Sequence, residues 1–142
     1  MTIQTKSFYR YIRPVKSLSL SGKNQVQYDN YGGVTLRVDY VYGKGDEPDS
    51  CGITYTVASR KDRFVKQKGR DNVNKFLHNR EHQWMIGDMN THDKDVFTAL
   101  SCELEEAYEK GELTRMEEIL RNELLRCQSS LVDATTEVLS GM

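Results

Sequence analysis

The sequence has 142 residues, of which 37% are hydrophobic and 29% charged, and this length suits one domain with a modest core. Its first six residues lack the apolar stretch of a signal peptide, and no apolar run approaches the roughly 18 residues of a membrane span. We therefore expect a cytoplasmic protein without membrane contact. The three cysteines are far apart and form no CxxC pair, which argues against a disulfide framework or a zinc site.

Charge is distributed unevenly along the chain. Residues 1–92 carry 15 Lys and Arg against 9 Asp and Glu, whereas residues 93–142 carry 5 against 12. The formal net charge of −1 therefore combines a basic part with an acidic part. We interpret residues 1–142 as a single α+β domain, in which residues 1–92 are mainly β with one short helix and residues 93–142 form a helical hairpin.

The basic part shows the alternation of apolar and polar residues that is typical of strands. The alternation is clearest at residues 34–42, VTLRVDYVY, which follow the turn residues Gly32 and Gly33. Pro14 cannot donate a backbone hydrogen bond, so it belongs at a sheet edge or a strand end. We predict a small antiparallel sheet of four to five strands, drawn from residues 8–15, 17–21, 34–42, 51–58 and 82–86.

Helical spacing of apolar residues predicts three helices. A short one covers about 70–79, a second runs to about Glu109 with Thr91 or Asp93 as its cap, and a longer one runs from about Glu112 to Leu139. The last helix, about 27 residues long, would extend roughly 40 Å and outspan a small sheet. We therefore expect part of its apolar seam to meet another subunit and form a homo-oligomer. The seam comprises Leu113, Met116, Leu120, Leu124, Cys127, Leu131, Ala134 and Val138.

A basic segment, residues 59–70 (SRKDRFVKQKGR), separates the predicted strand at 51–58 from the first predicted helix. Six of its twelve residues are Lys or Arg, one is acidic, and Phe64 is its single aromatic residue. Cationic side chains near the free backbone N–H groups of a helix start suit a phosphate or another anion. The alternative is a solvated loop, because most surface charge only faces water.

Basic residues interleaved with aromatic ones are also typical of nucleic-acid binding, and Tyr9, Arg10, Tyr11 and Arg13 would add to such a patch. The acidic residues 93–142 argue against a strong general nucleic-acid binder. A small anion with an aromatic group, such as a nucleotide, fits the sequence better.

Motifs of common enzyme families are missing from the sequence: there is no P-loop, no GxGxxG and no HExxH. His78 and His82 are four residues apart and could share a metal ion on a helix, although two histidines in a surface segment are more often free imidazoles. We therefore expect a non-catalytic protein with no cofactor and no metal site.

The pattern Lys61-Asp62-x-Phe64-x-Lys66-x-Lys68-Gly69-Arg70, between a strand and a helix, resembles the bacteriophage Thoeris anti-defence type 1 family. Chain length and the order of a small sheet followed by two helices agree with that family as well. The resemblance implies a non-catalytic oligomer in the host cytoplasm that sequesters a cyclic ADP-ribose-type nucleotide in a pocket between protomers. Residues 75–77 depart from the family pattern, since Phe76 stands where a second Arg is usual.

The resemblance carries over Arg70, with Phe64 or Phe97, as ligand-binding residues, and the basic segment adds Arg63, Lys66 and Lys68. The function expected first is thus a sponge for a nucleotide signal. Its alternative is an inhibitor of a host factor that binds nucleic acid or protein, and a small cyclic-nucleotide hydrolase is the least expected.

Overall fold

A four-stranded antiparallel sheet and a separate two-stranded hairpin form the β part of the protein, in a computed structural model that describes residues 4–19, 25–43, 45, 48–87 and 95–141. The main sheet has the strand order β1-β4-β5-β6, and β2 pairs with β3. The predicted α+β class with two C-terminal helices is confirmed. The elements are β1 (Gln4–Ile12), β2 (Val15–Ser19), β3 (Gln25–Tyr28), β4 (Val34–Tyr42), β5 (Ser50–Val57), α1 (Lys66–Lys75), β6 (Gln83–Ile86), α2 (Val96–Glu109) and α3 (Arg115–Ser140).

The hydrophobic core lies between one face of the sheet and the helices α2 and α3. Alternate residues of a strand point to opposite faces, so Leu36 of β4 and Tyr55 of β5 pack inward together with Leu100 and Leu120 of the helices. Thr35 points to the other face, where α1 crosses the sheet and places Gly69 against it. The molecule therefore has three layers, with α1 on one side of the sheet and α2 and α3 on the other.

A polar contact joins α2 to α3, and a capping box begins α3. Arg121 of α3 donates two hydrogen bonds, of 2.9 and 3.0 Å, to the Glu105 carboxylate, and its guanidinium lies 3.6 Å from the centre of the Tyr108 ring. Thr114 caps α3 reciprocally with Glu117 in a capping box. The capping box explains why the helix begins at Arg115 and leaves Leu113 outside it.

The predicted bounds of α1 are wrong by about four residues, since the helix runs over Lys66–Lys75 instead of about 70–79. In the sequence, Gly69 indicates a helix boundary, but in the structure it lies within the helix. A Cβ at this position would come within 2.9 Å of the Thr35 Cβ, so glycine allows the helix to approach the sheet closely. Arg70 is consequently the fifth residue of α1 and does not stand at its N-terminus.

The structure also corrects other predictions about where strands and helices lie and how they begin. The predicted strand at 17–21 belongs to the separate hairpin, with a partner, β3, that the sequence pattern does not predict. The expected caps Thr91 and Asp93 lie outside the described residues, and Asp95 caps α2 by accepting a hydrogen bond from the Phe97 N–H. Pro14 lies between β1 and β2, at a strand end as predicted.

The apolar seam of α3 packs mainly inside its own chain. Leu120, Leu124 and Cys127 are buried, so this part of the seam is not available to another subunit, whereas Leu131 of the same seam is exposed. A different stripe of α3, at a spacing of seven residues, is exposed: Val132 and Leu139 are each 61% exposed.

Within the described residues, no helix combines the length and apolar character needed to cross a membrane.

Candidate ligand-binding cavity

The short link between β1 and β2 presents Arg13 at the end of the sheet. Pro14 lies directly before β2, and its carbonyl accepts a hydrogen bond of 2.8 Å from the Asp29 N–H, which closes the base of the β2–β3 hairpin. The Arg13 Nη2 donates to the Asp29 carbonyl at 3.1 Å. The link is therefore held on both sides of Arg13, by the sheet and by the hairpin.

Two aromatic rings flank the Arg13 guanidinium. Its central carbon lies 4.9 Å from the centre of the Phe64 ring and 5.1 Å from the centre of the Tyr28 ring, both within the range of a cation–π contact. The Nε of Arg13 is buried and has no hydrogen-bond partner among the described residues. Buried donors are almost always paired, so this N–H is a candidate to bind a ligand.

The same arginine lines a cavity of about 360 Å³, named here the Arg13 cavity. The cavity lies between the end of the sheet, the β2–β3 hairpin, the start of α2 and the middle of α3. Its wall is mostly apolar, and Arg10 provides a second cation. The lining residues are Arg10, Tyr11, Ile12, Arg13, Val15, Val26, Tyr28, Leu36, Asp95, Val96, Phe97, Cys127, Gln128 and Leu131.

Of the six sequence-predicted ligand residues, only Phe97 lines the Arg13 cavity. Arg63, Phe64 and Lys68 border a smaller cavity of about 110 Å³ at the start of α1. Arg70 donates a 2.9 Å hydrogen bond to the Tyr11 hydroxyl, and Lys66 lies 5.1 Å from the centre of the same ring. The structure thus divides the basic segment between the smaller cavity and Tyr11 and does not gather all of it in one pocket.

Asp95 and Cys127, the acid and the thiol in the wall of the Arg13 cavity, have environments that fit a role in the fold. The Asp95 carboxylate accepts hydrogen bonds from the Phe97 N–H at 3.1 Å and the Thr98 hydroxyl at 2.9 Å. Burial, followed by the nearby Glu123 charge, raises the pKa of the Cys127 thiol to about 12. A thiol that stays protonated is a poor nucleophile.

A buried carboxylate that the sequence analysis missed lies behind the basic segment. Glu123 of α3 is 3% exposed and accepts hydrogen bonds from the Gly33 N–H at 2.6 Å and from Arg126 at 2.7 and 2.9 Å. Arg60 approaches the same carboxylate at 3.5 Å. Burial alone would raise the pKa of Glu123, but the hydrogen bonds from Arg126 and Gly33 outweigh it and hold the pKa below its usual value.

The contacts of Glu123 also indicate which of two cavities of similar size is the better candidate for a ligand site. A second cavity, of about 410 Å³, is lined by Arg60 and Glu123. There the cation and the carboxylate already compensate each other, whereas the Arg13 cavity is lined by a residue that keeps one donor unpaired. The Arg13 cavity is therefore the better candidate for an anionic ligand.

The histidine pair does not have the helical geometry on which its metal hypothesis depends, because α1 ends at Lys75. The His82 ring stacks on Phe76 with a centroid distance of 3.9 Å, and its Nδ1 lies 3.1 Å from the Tyr55 carbonyl oxygen. No group of three or more His, Cys, Asp or Glu in the described part of the chain is arranged to hold a metal ion.

Comparison with protein-family models, curated protein sequences and solved structures finds no significant match to the chain.

We predict that Glu123→Gln lowers the free energy of unfolding by about 3 kcal/mol at neutral pH, because it leaves Arg126 without its countercharge. The pKa of Glu123 is depressed by folding from about 4.5, so its stabilising contribution is complete above that pH and is lost as the pH falls through the folded pKa. The difference between wild type and variant should therefore shrink in acid. Urea denaturation measured from about pH 7 to about pH 3 tests this.

The matched control for this experiment is Glu118→Gln, an exposed carboxylate on the same helix. It should change stability by less than about 0.5 kcal/mol. A Glu123→Gln deficit that stays constant into acid would contradict the proposed role of the ionised carboxylate.

Proposed function

We propose that this protein binds a nucleotide signal of the cyclic ADP-ribose type in the Arg13 cavity and sequesters it without turnover. The observation that carries the proposal is the unpaired, buried Nε–H of Arg13, a residue that lines an apolar cavity. An arginine donor in such surroundings suits a phosphate oxygen, and a charge-assisted hydrogen bond there is stronger than a neutral one.

The other wall residues suit the aromatic part of a nucleotide. Phe97 and Tyr28 offer rings, and Arg10 adds a second positive charge. A volume of about 360 Å³ falls within the range of small-molecule sites, roughly 300–1,000 Å³, which accommodates one nucleotide better than a nucleic-acid strand. The resemblance to the Thoeris anti-defence type 1 family supplies the more specific ligand class.

The roles of the reactive groups near the cavity support capture of the nucleotide without its cleavage. Cleavage of a phosphodiester or glycosidic bond needs a positioned acid, base or nucleophile. In this cavity the Asp95 carboxylate caps α2, and the Cys127 thiol has a raised pKa. Both are therefore committed to the fold rather than to a reaction.

Assembly is the second part of the proposal. Leu125, Val132 and Leu139 follow each other at intervals of seven residues on the exposed side of α3. Seven-residue spacing of apolar side chains is typical of helices that pack against another helix. We propose that a second copy of the chain covers this stripe. The stripe takes the place of the apolar seam as the proposed interface, because most of the seam is buried.

A nucleic-acid- or protein-binding inhibitor of a host factor is the alternative function. The observation that favours it is the exposure of Lys66, Lys68 and Lys75 along α1, a basic helix surface that a polyanion could contact. This surface lies on the opposite side of the sheet from the helices of the Arg13 cavity, so variants can separate the two functions.

The direct test incubates the protein with cyclic ADP-ribose and its ring-closure isomers, releases bound ligand by heat and measures its mass. We expect one of these nucleotides to be retained and released intact. A hydrolysed product would indicate an enzyme, and retention of none of them would leave the inhibitor as the better explanation.

We predict that Arg13→Gln weakens binding of the retained nucleotide by about tenfold to a hundredfold, the loss typical of a hydrogen bond to a charged group. Isothermal titration calorimetry measures the affinity. The matched control is Arg115→Gln, which removes the same charge from an exposed position at the start of α3. Equal losses in both variants would indicate general charge attraction and contradict a specific site.

We predict that the double variant Val132→Lys, Leu139→Lys is monomeric, because it places two charges in the proposed helix contact. Light scattering coupled to size-exclusion chromatography measures the mass. The control, Asp133→Lys with Ser140→Lys, also places two lysines seven residues apart, on exposed polar positions about a quarter of a turn round α3 from the stripe, and should remain oligomeric. A monomeric wild type, or an unchanged mass in the first variant, would rule out this interface.

A further inference from the structure

We propose that Phe64 is a positioning residue of the Arg13 cavity: its ring orients the Arg13 guanidinium, which in turn offers its Nε–H to the ligand. This inference rests on the proposed function of the cavity. It differs from the expectation that Phe64 stacks directly on the ligand, because Phe64 does not line the Arg13 cavity and borders the smaller one.

The Arg13 guanidinium is held by two kinds of contact. The hydrogen bond from Nη2 to the Asp29 carbonyl restrains one end of the planar group. The Phe64 ring, 4.9 Å from the guanidinium carbon, and the Tyr28 ring, at 5.1 Å, restrain its plane. With its plane restrained, the direction of the free Nε–H is restrained as well.

Phe64 can orient its neighbour because its own position is tightly restrained. Its N–H donates to the Asn30 carbonyl at 2.8 Å, and the adjacent Arg63 forms a β-bridge with Tyr31. The ring packs on Gly33, where a Cβ would lie only 2.8 Å from a ring carbon. Gly33 also has φ of +104°, so the close approach and the backbone both require glycine there.

Tyr11 completes the surroundings of the Phe64 ring. The two rings meet edge to face with their centres 6.2 Å apart, and Tyr11 is itself fixed by the hydrogen bond from Arg70. Tyr11 lines the Arg13 cavity itself, so Arg70 acts on the cavity wall through Tyr11. Phe64, which does not line the cavity, acts through Arg13 and Tyr11 and has an indirect role in binding.

The test is a double-mutant cycle on the affinity for whichever ring-closure isomer of cyclic ADP-ribose wild type retains. Phe64→Leu keeps an apolar side chain but removes the ring, and we expect it to weaken binding about fivefold to tenfold. In the Arg13→Gln background the same change should cost less than about twofold, because the residue through which Phe64 acts is gone. Calorimetry with all four proteins gives both values.

Three variants separate positioning from general packing. Phe64→Tyr keeps the ring face and should bind within about twofold of wild type. Phe64→Met, with a similar volume, repeats the comparison if Phe64→Leu does not fold. Phe76→Leu removes a partly buried ring that stacks on His82 elsewhere on the chain and should leave the affinity unchanged.

Equal losses for Phe64→Leu in both backgrounds, or no loss in either, would overturn the positioning role while the binding function stood. Failure of wild type to bind any of the nucleotides would overturn the proposed function, and the inference with it.

Discussion

The Glu123 carboxylate accepts hydrogen bonds from Arg126 and from the Gly33 N–H while it is almost fully buried. A buried charge costs several kcal/mol unless partners compensate it, so the fold must bring these groups together. The bond to Gly33 attaches α3 to the turn that begins β4. That turn also holds the basic segment, because the Gly32 N–H donates to the Asp62 carbonyl and the Ala58 N–H donates to the Gly33 carbonyl.

The candidate site depends on this arrangement through Phe64. The ring rests on Gly33 and contacts the Arg13 guanidinium, so the position of the turn influences the position of a cation in the cavity wall. Arg13 and Arg60 have different surroundings. Arg60 is paired with Glu123, whereas Arg13 is surrounded by rings and keeps one donor free. Only the second arrangement leaves an unsatisfied group for an incoming anion.

The sequence predicts those parts of the fold that depend on local pattern. Alternation over residues 34–42 predicts β4 with its observed bounds, and apolar spacing locates both C-terminal helices to within a few residues. The start of α1 is mispredicted because Gly69 serves a contact with Thr35, which is distant in sequence. Glu123 could have been noticed, since it lies on the same helix face as Leu120 and Cys127.

The candidate site was harder to predict from the sequence than the fold was. Arg13 meets Tyr28 and Phe64 across 15 and 51 positions of the chain, and although the sequence groups Arg13 with the basic segment, no local pattern indicates which rings it meets. The basic segment is conspicuous in the sequence, yet its cations point in several directions once α1 and the turn are formed. Of the predicted ligand residues, Phe97 was brought into the cavity by the helix that it helps to begin.

The most direct test of the central claim observes the Arg13 Nε–H itself. Its ¹⁵N resonance, assigned by comparison with an Arg13→Lys variant, can be followed during titration with the ring-closure isomers of cyclic ADP-ribose. Binding in the Arg13 cavity predicts a saturable shift of this resonance that parallels the calorimetric isotherm. A bound nucleotide that shifts the resonances of Arg63 and Arg70 but not that of Arg13 would contradict the proposed site.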